Sequence, residues 1–129
     1  MVVRTNGVVA LSTADGAQRW EAPPGGVIGD TAGTALTLRS TEEDVTFRVV
    51  DGEDGSTKAT RILGPPEGVA LAADVIYVGD GIGVTAYDRV SLAPLWSAVV
   101  ADEGNGLVVE AVEGGVLVRA GDGSLVVLR

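Results

Sequence analysis

A chain of 129 residues, 46% apolar and 21% charged, is long enough for one domain with a continuous core, and its net charge of -9 repels nucleic acid and anionic lipid alike. Neither cysteine nor histidine occurs, which excludes disulfides, thiolate metal sites, Ser-His-Asp and Cys-His catalysis, and histidine-ligated zinc. No apolar run approaches the roughly 18 residues of a membrane-spanning helix, and "MVVRTNGVV" lacks the apolar core of a signal peptide.

Nineteen glycines and 4% aromatics favour many tight turns between short aliphatic strands. Apolar runs of a few residues, often β-branched, are broken every 8–12 residues or so by Gly, Asp or Pro, the spacing of antiparallel meanders. In chain order the predicted strands are Val2–Arg4, Val8–Ser12, Ala17–Ala22, Val27–Asp30, Thr34–Ser40, Asp44–Asp51 and Thr57–Leu63. They continue with Gly68–Ala72, Val75–Gly79, Gly83–Asp88, Leu95–Ala101, Leu107–Val112, Gly115–Ala120 and Ser124–Leu128. The one helix-like stretch, "EGVALAADV", runs straight into "IYVGDG" and is read as two strands around a turn at Ala73–Asp74.

Three segments align at equal length: "ALSTADGAQRW" (10–20), "VVDGEDGSTKA" (49–59) and "AYDRVSLAPLW" (86–96), with a fourth starting at "VLR" (127–129). Their starts lie 39, 37 and 41 residues apart, and a similar strand pair precedes each. A period near forty with about four short strands per unit marks β-propeller blades, which bury their faces only by stacking on neighbours. Ala10 and Ala86 are then small where sheets approach, Gly16 and Gly55 supply the turn, and Trp20 and Trp96 offer flat faces of about 150–250 Å² to an adjacent blade.

At these residues the chain resembles the pyrroloquinoline-quinone-type propeller repeat, whose motif runs Ala-x-Asp-x-x-Thr-Gly-Lys-x-x-Trp. Ala10, Gly16 and Trp20 match in the first copy, Asp51 and Gly55 in the second, and Ala86, Asp88 and Trp96 in the third. The resemblance implies that the tryptophans pack between blades and that both Trp20 and Trp96 are well buried. Ser12 and Asp15 depart from the motif, Ala59 stands where the second tryptophan belongs, and Leu92 replaces the third glycine. The second and third interfaces are therefore expected to be looser or differently filled, and the turn at Leu92 to do without a glycine-like φ.

The resulting reading is an all-β chain of antiparallel four-stranded blades, about three and a half of them, with 1–129 one propeller segment and units at approximately 1–22, 23–63, 64–101 and 102–129. The arc is a partial ring, or one completed by another chain or by upstream blades, or its blades pack in a non-propeller way, and the strand after Leu128 is expected from elsewhere, because bare blade faces and edges are association hazards.

Three local stretches invite chemistry. "DGEDG" offers Asp51, Glu53 and Asp54 as weak calcium candidates but coincides with the blade turn and lacks EF-hand spacing. "VGDGIGV" lacks the spacing and helix of a dinucleotide loop and reads as a hairpin at Asp80-Gly81. "TEEDVT" places Glu42, Glu43 and Asp44 on a solvated connection rather than in a glycosidase cleft. "APPGG" (22–26) and "GPPEG" (64–68) read as rigid connections between blades.

No catalytic residue and no cofactor is assigned. The expected function is a non-enzymatic scaffold or recognition module for a protein or peptide. Nucleic-acid binding and membrane insertion are not expected, and the resemblance implies a bacterial, extracytoplasmic setting, periplasmic or cell-surface. The alternatives are a fragment of a quinone- and calcium-dependent dehydrogenase, and a repeat fragment whose main property is self-assembly into a homo-oligomer.

Overall fold

The structure, a computed structural model, describes residues 2–4, 7–12, 14–31, 33–64, 68–80, 82–100, 107–120 and 125–128. Among the described residues fourteen strands form in the predicted order: β1 (Val2–Arg4), β2 (Gly7–Leu11), β3 (Gln18–Ala22), β4 (Gly26–Thr31), β5 (Thr34–Ser40), β6 (Val45–Asp51) and β7 (Thr57–Leu63). The second half holds β8 (Gly68–Leu71), β9 (Val75–Gly79), β10 (Gly83–Asp88), β11 (Pro94–Val99), β12 (Leu107–Val112), β13 (Gly115–Ala120) and β14 (Leu125–Leu128). Among the described residues the helix-like "EGVALAADV" forms β8, a bend at Ala73–Asp74 and the start of β9. The β-branched runs favour this outcome, because they pack well on a pleated surface and lose rotamer freedom in a helix.

Among the described residues these strands pair into the antiparallel meanders β1-β2-β3, β4-β5-β6-β7, β8-β9-β10-β11 and β12-β13-β14. Two compact units hold them. Met1–Gly64 with Val90–Leu92 makes the first unit, and Pro65–Arg89 with Ala93–Arg129 the second.

The aligned repeat has a conformational counterpart. Register shifts fall at Ala10/Leu11, Val49/Val50 and Ala86/Tyr87, which are equivalent positions of the three copies. Each shift leads into the same turn. Ser12 N–H bonds Ala17 O at 2.8 Å, Asp51 N–H bonds Ser56 O at 2.8 Å, and Asp88 N–H bonds Ala93 O at 2.8 Å. The turns need one left-handed residue each, and they take it at Gly16 (φ 72°), Gly55 (φ 75°) and Leu92 (φ 60°).

Leu92 corrects the expectation from its side chain, because it adopts the glycine-like φ after all. Its side chain is 2% exposed, so burial of a large aliphatic group offsets a left-handed conformation costing about 1–2 kcal/mol. Arg61 Nε donates to its carbonyl at 2.7 Å. By repeat position, Trp20 and Gly55 in one pair of copies correspond to Ala59 and Leu92 in the next. Leu92→Ala is expected to lower stability by about 2–5 kcal/mol in urea denaturation; a loss near zero contradicts this account of the turn.

In the first unit the core gathers Trp20, Ala22, Ala35 and Val50, with Ala10 packed against them. In the second, Tyr77, Val84 and Ala86 meet Val109, Val116 and Val118 across two sheets. Pro23–Gly25 links β3 to β4 as a short connection. The equivalent prolines, Pro65 and Pro66, lie outside the described residues, as does Gly81 of the Asp80-Gly81 hairpin.

Candidate functional site

The repeat turn is also where the chain recognises itself. Ala10 lies opposite Trp20 across β2 and β3, and this small partner leaves the indole room to lie over the strand. From there Trp20, 7% exposed, reaches the turn of the next sheet. Its Nε1 donates to Gly52 O at 3.0 Å. Its ring covers Gly55 so closely that a Cβ there would sit 2.5 Å from Cε3. Glycine at 55 thus serves two needs, a left-handed φ and an open Cα face.

Ala86 and Trp96 repeat the cross-strand pair on β10 and β11, and Tyr77 on β9 flanks Ala86 from the other side. The two rings meet with centroids 6.1 Å apart and planes inclined by 48°. The expected burial of Trp96 is corrected: it is 40% exposed. The reason lies in what covers the ring. Trp20 has a glycine turn against it, whereas among the described residues Trp96 has Tyr77 beside it and no turn over it.

The acidic loop is occupied by its own backbone. Asp51 Oδ1 accepts from Glu53 N–H at 2.7 Å, Asp54 Oδ1 accepts from Ser56 N–H at 2.8 Å, and Asp51 Oδ2 pairs with Lys58 at 3.4 Å. Asp88, the equivalent of Asp51, follows the same backbone pattern. A calcium ion needs six to eight converging oxygens, whereas Asp51 Oδ1 and Asp54 Oδ1 here each accept from a backbone amide of the turn. Among the described residues no group of three or more acidic side chains is placed to share a cation.

The Glu53 N–H, then Lys58, hold the Asp51 carboxyl below its ordinary range against the opposing effect of partial burial. The hydroxyl and N–H of Ser56 lower Asp54 likewise. Folded-state values below the unfolded ones mean that both groups stabilise the fold above the ordinary carboxylate range, and that this support is lost as pH falls through their lowered values. Asp51→Asn keeps an amide acceptor and removes the charge. The melting temperature of wild type should therefore exceed that of Asp51→Asn at neutral pH, with the gap closing as the pH falls through the lowered range of the Asp51 carboxyl; a pH-independent gap contradicts the ionic contribution.

The acids of the other two stretches sit in turns. Thr41 and Asp44 close the β5–β6 turn on each other, with Oγ1 to Oδ1 at 3.0 Å, and Glu42 and Glu43 are exposed. At Asp80, Oδ1 accepts from Gly83 N–H at 2.9 Å.

Two concave features were not legible beforehand. In the second unit a cavity of about 580 Å³ opens beside the β8–β9 and β12–β13 turns, lined by Ala72, Asp74, Tyr77 and Glu113 among others. Its titratable side chains are two carboxylates and a phenol, a set that offers neither a thiol nor an imidazole. The second feature is the outward face of the β12-β13-β14 sheet. Strict alternation sends Val109, Val116 and Val118 into the core and leaves Val108, Arg119 and Leu125 in one cross-strand row, with Glu110, Leu117 and Val127 in the next. Val108, Leu125 and Val127 are about half exposed, and a groove of about 330 Å³ runs over the face. Among the described residues β14 pairs with β13 alone.

Repeated antiparallel meanders joined through a tryptophan and a glycine turn are the parts of a β-propeller, and the fold is of that class. No protein-family model and no curated protein matches the sequence. Solved structures do: the chain is similar to BamB from Moraxella catarrhalis, with a TM-score of 0.54 and 17% identity over 91% of this chain and 44% of that one. It spans less than half the length of that protein. No helix among the described residues is long and apolar enough to cross a membrane.

Proposed function

We propose that this chain is a non-enzymatic β-propeller scaffold that binds a protein or peptide, in an extracytoplasmic compartment of a bacterium. The observation that carries the reading is the β12-β13-β14 sheet, with apolar side chains on both faces and, among the described residues, β14 paired with β13 alone. Its inner valines build the core; its outer Val108, Leu117, Leu125 and Val127 have no such duty. An apolar face bearing one acid and one base suits a polypeptide surface, and an open strand edge suits an extended segment added as a further strand. The acidic charge of the chain disfavours phosphate-bearing partners. The compartment rests on the repeat resemblance, and the likeness to BamB supports the propeller part of the reading.

The test is selection from a displayed library of random extended peptides. Selected peptides are expected to bind wild type and to weaken by about tenfold or more when Leu125 and Val127 are both replaced by lysine. Peptides that bind the double variant equally overturn the proposed surface. Alcohol oxidation by the chain supplied with pyrroloquinoline quinone and calcium overturns the non-enzymatic reading.

A further inference from the structure

The contact between Trp20 and the Asp51–Ser56 turn shows what this chain's tryptophan binds: a six-residue turn with a left-handed glycine whose Cα face accepts the indole. The chain carries each half of that contact a second time. Trp96, at the position equivalent to Trp20 and opposite an equivalent alanine, leaves 40% of its surface exposed. Among the described residues nothing accepts from its Nε1.

The other half is the turn at residues 12–17. It reproduces the bound turn bond for bond. Gly16 N–H reaches Ser12 O at 2.8 Å as Gly55 N–H reaches Asp51 O at 2.9 Å. Asp15 Oδ1 accepts from Ala17 N–H at 2.9 Å as Asp54 Oδ1 accepts from Ser56 N–H at 2.8 Å. Gly16 has φ 72° against 75° at Gly55, yet a Cβ on Gly16 would meet nothing within 4 Å, where one on Gly55 would strike the indole.

We propose that these two halves meet between copies: the Trp96 indole of one copy seats on the Gly16 turn of a second copy, in the manner of Trp20 on Gly55. The interface is heterologous, since each copy uses Trp96 on one side and the Gly16 turn on the other. Neither Trp96 nor the Gly16 turn is among the residues of the recognition surface proposed above, so the two proposals rest on different side chains. The contact is apolar with one hydrogen bond, while each copy carries a net charge of -9. Screening the mutual repulsion with salt should therefore strengthen association rather than weaken it.

Sedimentation equilibrium over a range of protein concentrations tests this with two variants and their mixture. Trp96→Ala removes the ring. Gly16→Asn keeps a residue tolerant of the left-handed conformation and fills the Cα face. Wild type is expected to rise with concentration above the monomer mass of 13.0 kDa, and more so at high salt. Each variant alone should stay at the monomer mass. The equimolar mixture holds one intact Trp96 and one intact Gly16 turn, and should reach twice the monomer mass and no more. A wild type that stays monomeric, a single variant that associates like wild type, or a mixture that stays monomeric overturns the proposal.

Discussion

Replacing Trp20 with alanine should lower the unfolding free energy by about 3–5 kcal/mol, the largest single loss expected in this chain. The ring is buried in the first unit's core with Ala22, Ala35 and Val50, and no neighbour can refill a gap of that size from a β-sheet without moving backbone. The Gly52 carbonyl also loses its indole donor. Trp96→Ala, taken as the internal control at monomeric concentrations, should cost about 1–2 kcal/mol, because that ring is 40% exposed and touches Tyr77. Urea denaturation of the two variants measures the contrast. Equal losses contradict the assigned roles.

Gly55→Ala should be the second large effect. A methyl group there pays the left-handed strain of about 1–2 kcal/mol and also collides with the Trp20 ring, which adds about 1–3 kcal/mol of overpacking. Gly16→Ala shares the strain without the collision, since its Cα face is open. The difference between the two variants isolates the collision. In a Trp20→Ala background that difference should vanish, because the two residues act as one contact. A difference that survives removal of the indole places the obstruction elsewhere.

The strand order was legible in the sequence because each blade strand announces itself twice, by a β-branched apolar run and by the Gly, Asp or Pro that ends it. Thr34–Ser40, Thr57–Leu63 and Gly83–Asp88 fall where the alternation puts them to the residue. The repeat was legible for a related reason: Ala10 and Trp20, or Ala86 and Trp96, mark a fixed cross-strand geometry that spacing alone exposes.

Leu92 was not legible. A leucine names an apolar environment and says nothing of a left-handed φ, which the turn imposes on whatever residue stands there. The exposure of Trp96 was hidden as well, since burial of an interface residue belongs to the surface that meets it rather than to its own strand. The acidic loop was ambiguous for the opposite reason. Carboxylates that cap amides in a turn and carboxylates that gather around calcium share a composition, and only the direction of Oδ1 toward the Glu53 and Ser56 amides separates them. The outward face of the β12-β13-β14 sheet required the register, because which of Val108 and Val109 faces the core depends on pairing.

The central claim is that one tryptophan is locked onto a glycine turn while its repeat equivalent stands open. Hydrogen exchange of the two indole N–H protons, followed by NMR at a concentration where the chain is monomeric, reads both at once, since Trp20 and Trp96 are the only tryptophans in the sequence. The Trp20 proton, bonded to Gly52 O, should exchange slowly, with the protection of the core, and the Trp96 proton at nearly the rate of a solvated indole. Two rapidly exchanging indoles, or a protected Trp96 beside an unprotected Trp20, would contradict it.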